Sequence, residues 1–177
     1  MHLVIMGVSG SGKTTVARLV AQRAELSYAE ADQFHTPTSI AKMSQGTPLT
    51  DEDRLPWLHR LAAWISDHQR HDMATVLACS ALRRHYRDIL RSAAPDVRFV
   101  HLTGHRSTLA RRLEQRRDHF MPAGLLDSQL DTLEELEPDE PGYVLDVAHP
   151  AEELAETALH HAGLGSGTTS STHRPAH

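Results

Sequence analysis

The segment Gly7-Val8-Ser9-Gly10-Ser11-Gly12-Lys13-Thr14 places glycine, lysine and a hydroxyl at the spacing G-x-x-x-x-G-K-[ST], and Thr15 extends it. That spacing suits one task. Glycines let a loop turn its backbone N–H groups inward around phosphate oxygens, and a helix beginning at the loop points its positive end at the same anion. Lys13 is then positioned to reach the terminal phosphates of a nucleoside triphosphate, and the Thr14 hydroxyl to hold a magnesium ion bridging two of them. Such a loop requires a strand before it and a helix after it. The sequence supplies both, as the apolar run Leu3 to Met6 and the helix-spaced stripe Val16, Leu19, Val20, Ala24.

Four further apolar runs alternate with segments of helical period: Ser27 to Ala29, Thr75 to Cys79, Val97 to Leu102, and Tyr143 to Val147. This alternation predicts an α/β fold, a parallel sheet covered by helices on both faces. Ligands of open parallel sheets collect beyond the carboxyl ends of the strands. The residues beyond the second run are Glu30-Ala31-Asp32-Gln33-Phe34-His35, and beyond the third they are Ser80-Ala81-Leu82-Arg83-Arg84. Asp32 is the leading candidate for a general base that accepts the proton of an attacking hydroxyl; the same acid would also serve as a turn residue or helix cap. The third run ends Leu77-Ala78-Cys79-Ser80, without the acid that supports magnesium in ATP-driven motors and GTPases, which argues against those classes. Glu30 is the nearby acid able to assist a metal through water.

From Arg111 to Met121 the chain is rich in arginine, and Pro122, Ala123 and Gly124 end the segment. It suits a mobile lid over about 112–124 that closes on ATP, with Arg116 first and Arg112 second as the arginine set against transferring phosphate. An ordinary arginine-rich helix C-terminus would read much the same. Asp51-Glu52-Asp53 followed by Pro56 marks a helix start, and Trp57 and Trp64 read as packing residues on that helix.

The 177 residues fit one domain. A net charge of -5 gives no electrostatic footprint for nucleic acid or an anionic membrane. The single cysteine, Cys79, lies in an apolar run and reads as a buried thiol in a reducing compartment. The first apolar run is too short for a signal or a membrane span, so the expected location is the cytoplasm. Residues 163–177 lack apolar periodicity and read as a disordered tail to a domain spanning 1–162.

Taken together, these segments resemble the gluconate kinases, small P-loop kinases related to shikimate kinase and adenylylsulfate kinase. The resemblance spans roughly residues 3 to 160. Beyond the glycine-rich loop it rests on Asp32-Gln33-Phe34-His35 with Pro37, Ile40-Ala41-Lys42-Met43 leading to Gly46-Thr47-Pro48-Leu49, and Asp51-Glu52-Asp53-Arg54-Leu55-Pro56-Trp57-Leu58. It continues through Cys79-Ser80-Ala81-Leu82-Arg83-Arg84-His85-Tyr86-Arg87, His119-Phe120-Met121-Pro122 and Ser128-Gln129-Leu130-Asp131-Thr132-Leu133-Glu134. The likeness implies a three-layer P-loop kinase sandwich with strand order 2-3-1-4-5, and phosphorylation of D-gluconate by ATP at its terminal primary hydroxyl, giving 6-phosphogluconate. It also admits a homodimer. A polyhydroxy monocarboxylate needs a guanidinium and several hydrogen-bonding groups. The matching segments offer Arg54, His35, Ser80, Arg83, Tyr86 and His119, with Arg54 the carboxylate clamp by likeness to shikimate kinase. The chain departs from the family pattern where Glu30-Ala31-Asp32 replaces Asp-Gly-Asp, and where Asp118 replaces the glycine before the lid histidine. Competing readings are another small-metabolite kinase and a nucleotide-binding regulatory protein.

Overall fold

A computed structural model describes residues 1–115 and 124–165. Five strands, β1 (His2–Met6), β2 (Ser27–Glu30), β3 (Thr75–Ala78), β4 (Val97–Thr103) and β5 (Gly142–Asp146), form one sheet in the order β2-β3-β1-β4-β5. Every adjacent pair is parallel. The expected strand order and parallel sense hold, and the runs read from the sequence lie within about one residue of the observed ends.

Helices cover both faces. Alternation along the central strand shows why: Leu3 and Ile5 point to one side of β1, Val4 and Met6 to the other, and all four are fully buried. On the first side pack α1 (Lys13–Ala24) through Val16, Ala17, Val20 and Ala21, and α7 (Ala151–His161) through Leu154, Ala155, Ala158 and Leu159. Leu109 of α5 (Arg106–Glu114) and Leu126 of α6 (Gly124–Thr132) complete that layer. On the second side lie α3 (Asp51–Arg70), through Trp57, Leu58, Leu61 and Ile65, and α4 (Arg84–Arg91), through Tyr86 and Leu90.

Local chemistry fixes the helix starts. Thr50 accepts from the Asp53 N–H while the Asp53 carboxylate accepts from the Thr50 N–H, a reciprocal cap that begins α3, and Lys42 reinforces Asp53 at 2.6 Å. Pro56 lies inside α3, in its second turn rather than the first turn that a helix-start reading gives it. The short α2 (Pro37–Ser44) has proline in its first turn and Thr36 as its cap. α7 closes with Gly163 in the left-handed region and the Leu164 N–H on the Leu159 carbonyl. Of the expected lid, residues 116–123 lie outside the described residues, and so do residues 166–177 of the expected tail.

Two buried imidazoles give the fold an acid limit. His2 is fully buried, with Nδ1 2.9 Å from Thr75 Oγ1 and Nε2 3.0 Å from Gln69 Oε1. His101 on β4 is 2% exposed, and neither ring nitrogen has a partner among the described residues. Burial pushes both below the ordinary value of 6.5. The unfolded chain therefore takes up more protons than the folded one below pH 6.5, and stability falls as pH decreases through that value. The thermal midpoint should decline from about pH 6.5 downward, and His101→Leu should make that decline shallower. An unchanged slope in the variant would remove His101 from the account.

Candidate functional site at the strand ends

The loop between β1 and α1 has the conformation that its glycines permit. Gly7 and Gly10 lie at φ of 138° and 81°. A Cβ at Gly7 would stand 2.4 Å from the Leu102 carbonyl oxygen, and one at Gly10 would stand 2.9 Å from both the Leu109 carbonyl oxygen and Leu113 Cγ. The Gly7 N–H donates to the Ser80 carbonyl at 3.3 Å, and the Ser9 N–H to Gln129 Oε1 of α6 at 2.6 Å. Lys13 Nζ reaches back to the Val8 carbonyl at 3.0 Å. Ser11 is fully buried, with no partner for its hydroxyl among the described residues. The segment is thus a concave cradle at the start of α1, open to an anion.

Thr14 donates its hydroxyl to Glu30 Oε1 across the gap to β2, and the other oxygen of Glu30 accepts from the Tyr28 hydroxyl at 2.9 Å. A hydroxyl and a carboxylate, both oxygen donors, meet beside the cradle. This donor set fits a hard cation such as magnesium. Glu30 therefore lies closer to the metal position expected at Thr14 than its replacement of the family aspartate suggested.

On the β4–β5 side a cleft of about 330 Å³ opens from the cradle, lined by Gly12, Thr15, Arg112, Gln115, His149 and Leu154 among others. Arg112 in the last turn of α5 donates to the Val147 carbonyl at 2.5 Å, which holds the guanidinium at the cleft wall beside Gly12. Val8 and Ser9 belong to the cradle, whereas the exposed Thr15 faces this cleft. Arg116 and His119 lie outside the described residues, as does Asp118.

On the β2–β3 side the remaining residues converge. A 3-10 turn over Ala31–Phe34 follows β2 and carries Asp32, whose side chain is 93% exposed and has His35 Nε2 3.9 Å away. Trp57 holds this turn: its indole N–H donates to the Ala31 carbonyl at 2.7 Å, and its ring stacks on His35 at 4.8 Å. Burial keeps the His35 imidazole below its ordinary range, and its Nδ1 is buried with no partner among the described residues. Across from it, Tyr86 donates its hydroxyl to Asp51 and accepts from Arg54 at 3.3 Å, while Arg83 binds the second Asp51 oxygen at 2.7 Å. Ser80 and Arg83 flank Ala81, a buried residue at φ of 44° that bends the chain sharply after β3. Cys79 just before the bend is fully buried, its thiol pushed up to about 12 by desolvation, which leaves it unreactive.

Sequence reasoning gave Trp57 packing alone and Asp51 a helix-start role alone. Both also organise the site. Arg87, the last residue of the motif that begins at Cys79, has a structural role that the motif does not reveal. It is fully buried, pairs with Glu140 at 2.6 and 2.8 Å, and donates to the carbonyls of Ala81, Leu82, Glu134 and Glu135. Through those bonds it fastens the Ser80–Arg83 loop to the segment that follows α6.

A parallel 2-3-1-4-5 sheet with a glycine-rich phosphate cradle after its first strand defines a P-loop phosphotransferase, and the family described as AAA domain matches residues 3–136. Family membership of this kind implies use of ATP. The chain is 47% identical over 161 residues to the gluconokinase of Gluconobacter oxydans (strain 621H), covering 89% of each protein. A solved gluconokinase from Sinorhizobium meliloti 1021 superposes with a TM-score of 0.80 at 44% identity, over 92% of this chain and 91% of that one. An unliganded sugar kinase from Janibacter sp. HTCC2649 does so with a TM-score of 0.87 at 53% identity, over 92% and 94%. The chain belongs to the gluconokinase family.

Removing the Arg87 side chain should damage the scaffold more than any single surface change. Arg87→Met leaves Glu140 buried without its cation, a loss of about 3–5 kcal/mol in urea denaturation. Adding Glu140→Leu should recover less than half of it, because the carbonyls that Arg87 served stay unpaired. Full recovery in the double variant would show the ion pair alone to be what matters.

Proposed function

We infer that this protein transfers the γ-phosphoryl group of ATP to the terminal primary hydroxyl of D-gluconate, releasing ADP and 6-phosphogluconate. The observation that carries this reading is the juxtaposition, across three adjacent strand ends, of a phosphate cradle and a cluster of arginine, phenol and imidazole groups suited to a hydroxylated acid. Identity of 47% to a gluconokinase over most of both chains supports the choice of acid.

In this reading the cradle N–H groups from Val8 to Thr14 hold the β- and γ-phosphates, and Lys13 turns from the Val8 carbonyl toward the γ-phosphate, where it neutralises charge. The nucleoside occupies the cleft beside Thr15 and Arg112. Arg54 and Arg83 take the acceptor's carboxylate, while His35, Ser80, Tyr86 and His119 bind its hydroxyls. Asp32 accepts the proton as the hydroxyl oxygen attacks phosphorus in line with the departing ADP oxygen, so one P–O bond forms as another breaks. Magnesium, when bound, draws negative charge from the phosphate oxygens, and Thr14 with Glu30 would hold it. Arg116, in the lid over about 112–124, opposes the charge developed in transfer. The reading places one kinase domain over 1–162 in the cytoplasm, with neither nucleic acid nor membrane as partner and with room for a homodimer. No helix among the described residues is long and apolar enough to cross a membrane.

A coupled ADP-release assay over gluconate, shikimate, other sugar acids and nucleoside monophosphates tests the assignment, and gluconate should give the highest specificity constant. Preference for shikimate or a nucleotide would replace it. Asp32→Ala should lower gluconate-dependent turnover by about a hundredfold or more while ATP still binds. Equal turnover in that variant would remove Asp32 as the base. In nucleotide titrations, Lys13→Ala should lose affinity as well as rate.

A further inference from the structure

Three acids open α3, and they do different things. Asp53 completes the reciprocal cap with Thr50, Glu52 is exposed, and Asp51 turns away from the helix end toward α4. Its two oxygens take the Tyr86 hydroxyl and the Arg83 guanidinium, with Arg54 at 3.6 Å and His85 Nε2 at 3.8 Å. The helix cap does not need it there. These are the groups to which the proposed function gives the acceptor's carboxylate and hydroxyls, so a protein carboxylate already sits among the receptors for a substrate carboxylate.

We propose that Asp51 sets the charge of the acceptor, by cancelling one of the two arginine charges so that the pocket takes a singly charged acid and discriminates against a doubly charged head group. This rests on the gluconate reading and adds the residue that tunes it. Arg54 and Arg83 bring two positive charges and Asp51 one negative, which leaves one net positive charge to meet one carboxylate. With side chains 32%, 37% and 42% exposed, the three are close enough to solvent for an acceptor to reach and enclosed enough for their charges to be felt. Asp51 also aims what it binds. Arg83 comes from the bend after β3 and Arg54 from the first turn of α3, and Asp51 contacts both while Tyr86, under the cation of Arg54 at 5.9 Å, links Arg54 to Asp51. Two free guanidiniums would attract a dianion more strongly than a monoanion. One shared carboxylate halves that advantage, and the greater cost of stripping water from a dianion then tips the preference to the monoanion.

The test compares D-gluconate with D-glucitol 1-phosphate at pH 8, where the phosphate head is a dianion and the far primary hydroxyl is kept. Asp51→Asn should shift the ratio of specificity constants toward the phosphate by about tenfold. Arg83→Gln should shift acceptor preference the other way, from gluconate toward uncharged D-glucitol. Combining Asp51→Asn with Arg83→Gln restores one net charge and should return the gluconate-to-phosphate ratio to within about threefold of the parent. If Asp51 only braces the helix or orients Tyr86, Asp51→Asn will lower both specificity constants by one factor, and that result overturns the proposal. A ratio shift that the double variant fails to reverse overturns it too. If the unaltered protein releases no ADP with gluconate, the functional reading falls and takes this inference with it.

Discussion

The close approach of β1 to its neighbours at Gly7 governs everything built at the strand ends. With no side chain there, the backbone passes so near the Leu102 carbonyl of β4 that a methyl group would overlap it, and the Gly7 N–H reaches the Ser80 carbonyl beyond β3. The cradle is thereby wedged between two strands of the sheet. Its curvature, the direction of α1 and the position of Thr14 against Glu30 all follow from that wedge. Any side chain at Gly7 would have to separate β1 from β4, and would open the phosphate loop and the core beneath it together.

Strand order then divides labour. Because β3 lies between β1 and β2, the loops after β2 and β3 fall on one flank of the cradle, and those after β4 and β5 fall on the other. The first flank gathers Asp32, His35, Ser80 and Arg83; the second opens the cleft walled by Arg112 and His149. In the proposed reading the first flank serves the acceptor and the second the nucleoside, with the transferred phosphoryl group between them. The hydrogen bonds from the Gly7 N–H to Ser80 and from the Ser9 N–H to Gln129 join the cradle to the elements on its rim.

Much of this is legible in the sequence. Buried parallel strands are short apolar runs, and β1, β3 and β4 are of that kind; the cradle is a contiguous motif whose mechanics follow from its spacing. The helix α2 escaped because Ile40 and Met43 are exposed, so its apolar residues trace no buried stripe, although Thr36 and Pro37 carried a start signal. Asp51 and Trp57 were visible as residues but not as site groups. Apart from Arg54, the partners named for them lie 22 to 35 positions away along the chain, and no local period encodes such a contact. The place of Glu30 after β2 marks it as a nearby acid, yet only the packing of α1 against the sheet brings it to Thr14.

Arginine shows most plainly what burial adds to composition. The chain has two lysines and many arginines, so abundance cannot separate a structural guanidinium from one kept for a ligand. Partner geometry can. Arg87 is enclosed, and its donors are met by Glu140 and backbone carbonyls. Arg84 is held by Asp88, Glu137 and Asp139. The acidic stretch after α6 thus engages the two arginines that face it, and it anchors α4 and the bend after β3 in doing so. Arg54 and Arg83 stand outside that arrangement with one carboxylate between them, on the flank where a small anion could enter. The same residue type therefore serves as brace and as receptor, and the supply of local acid decides which.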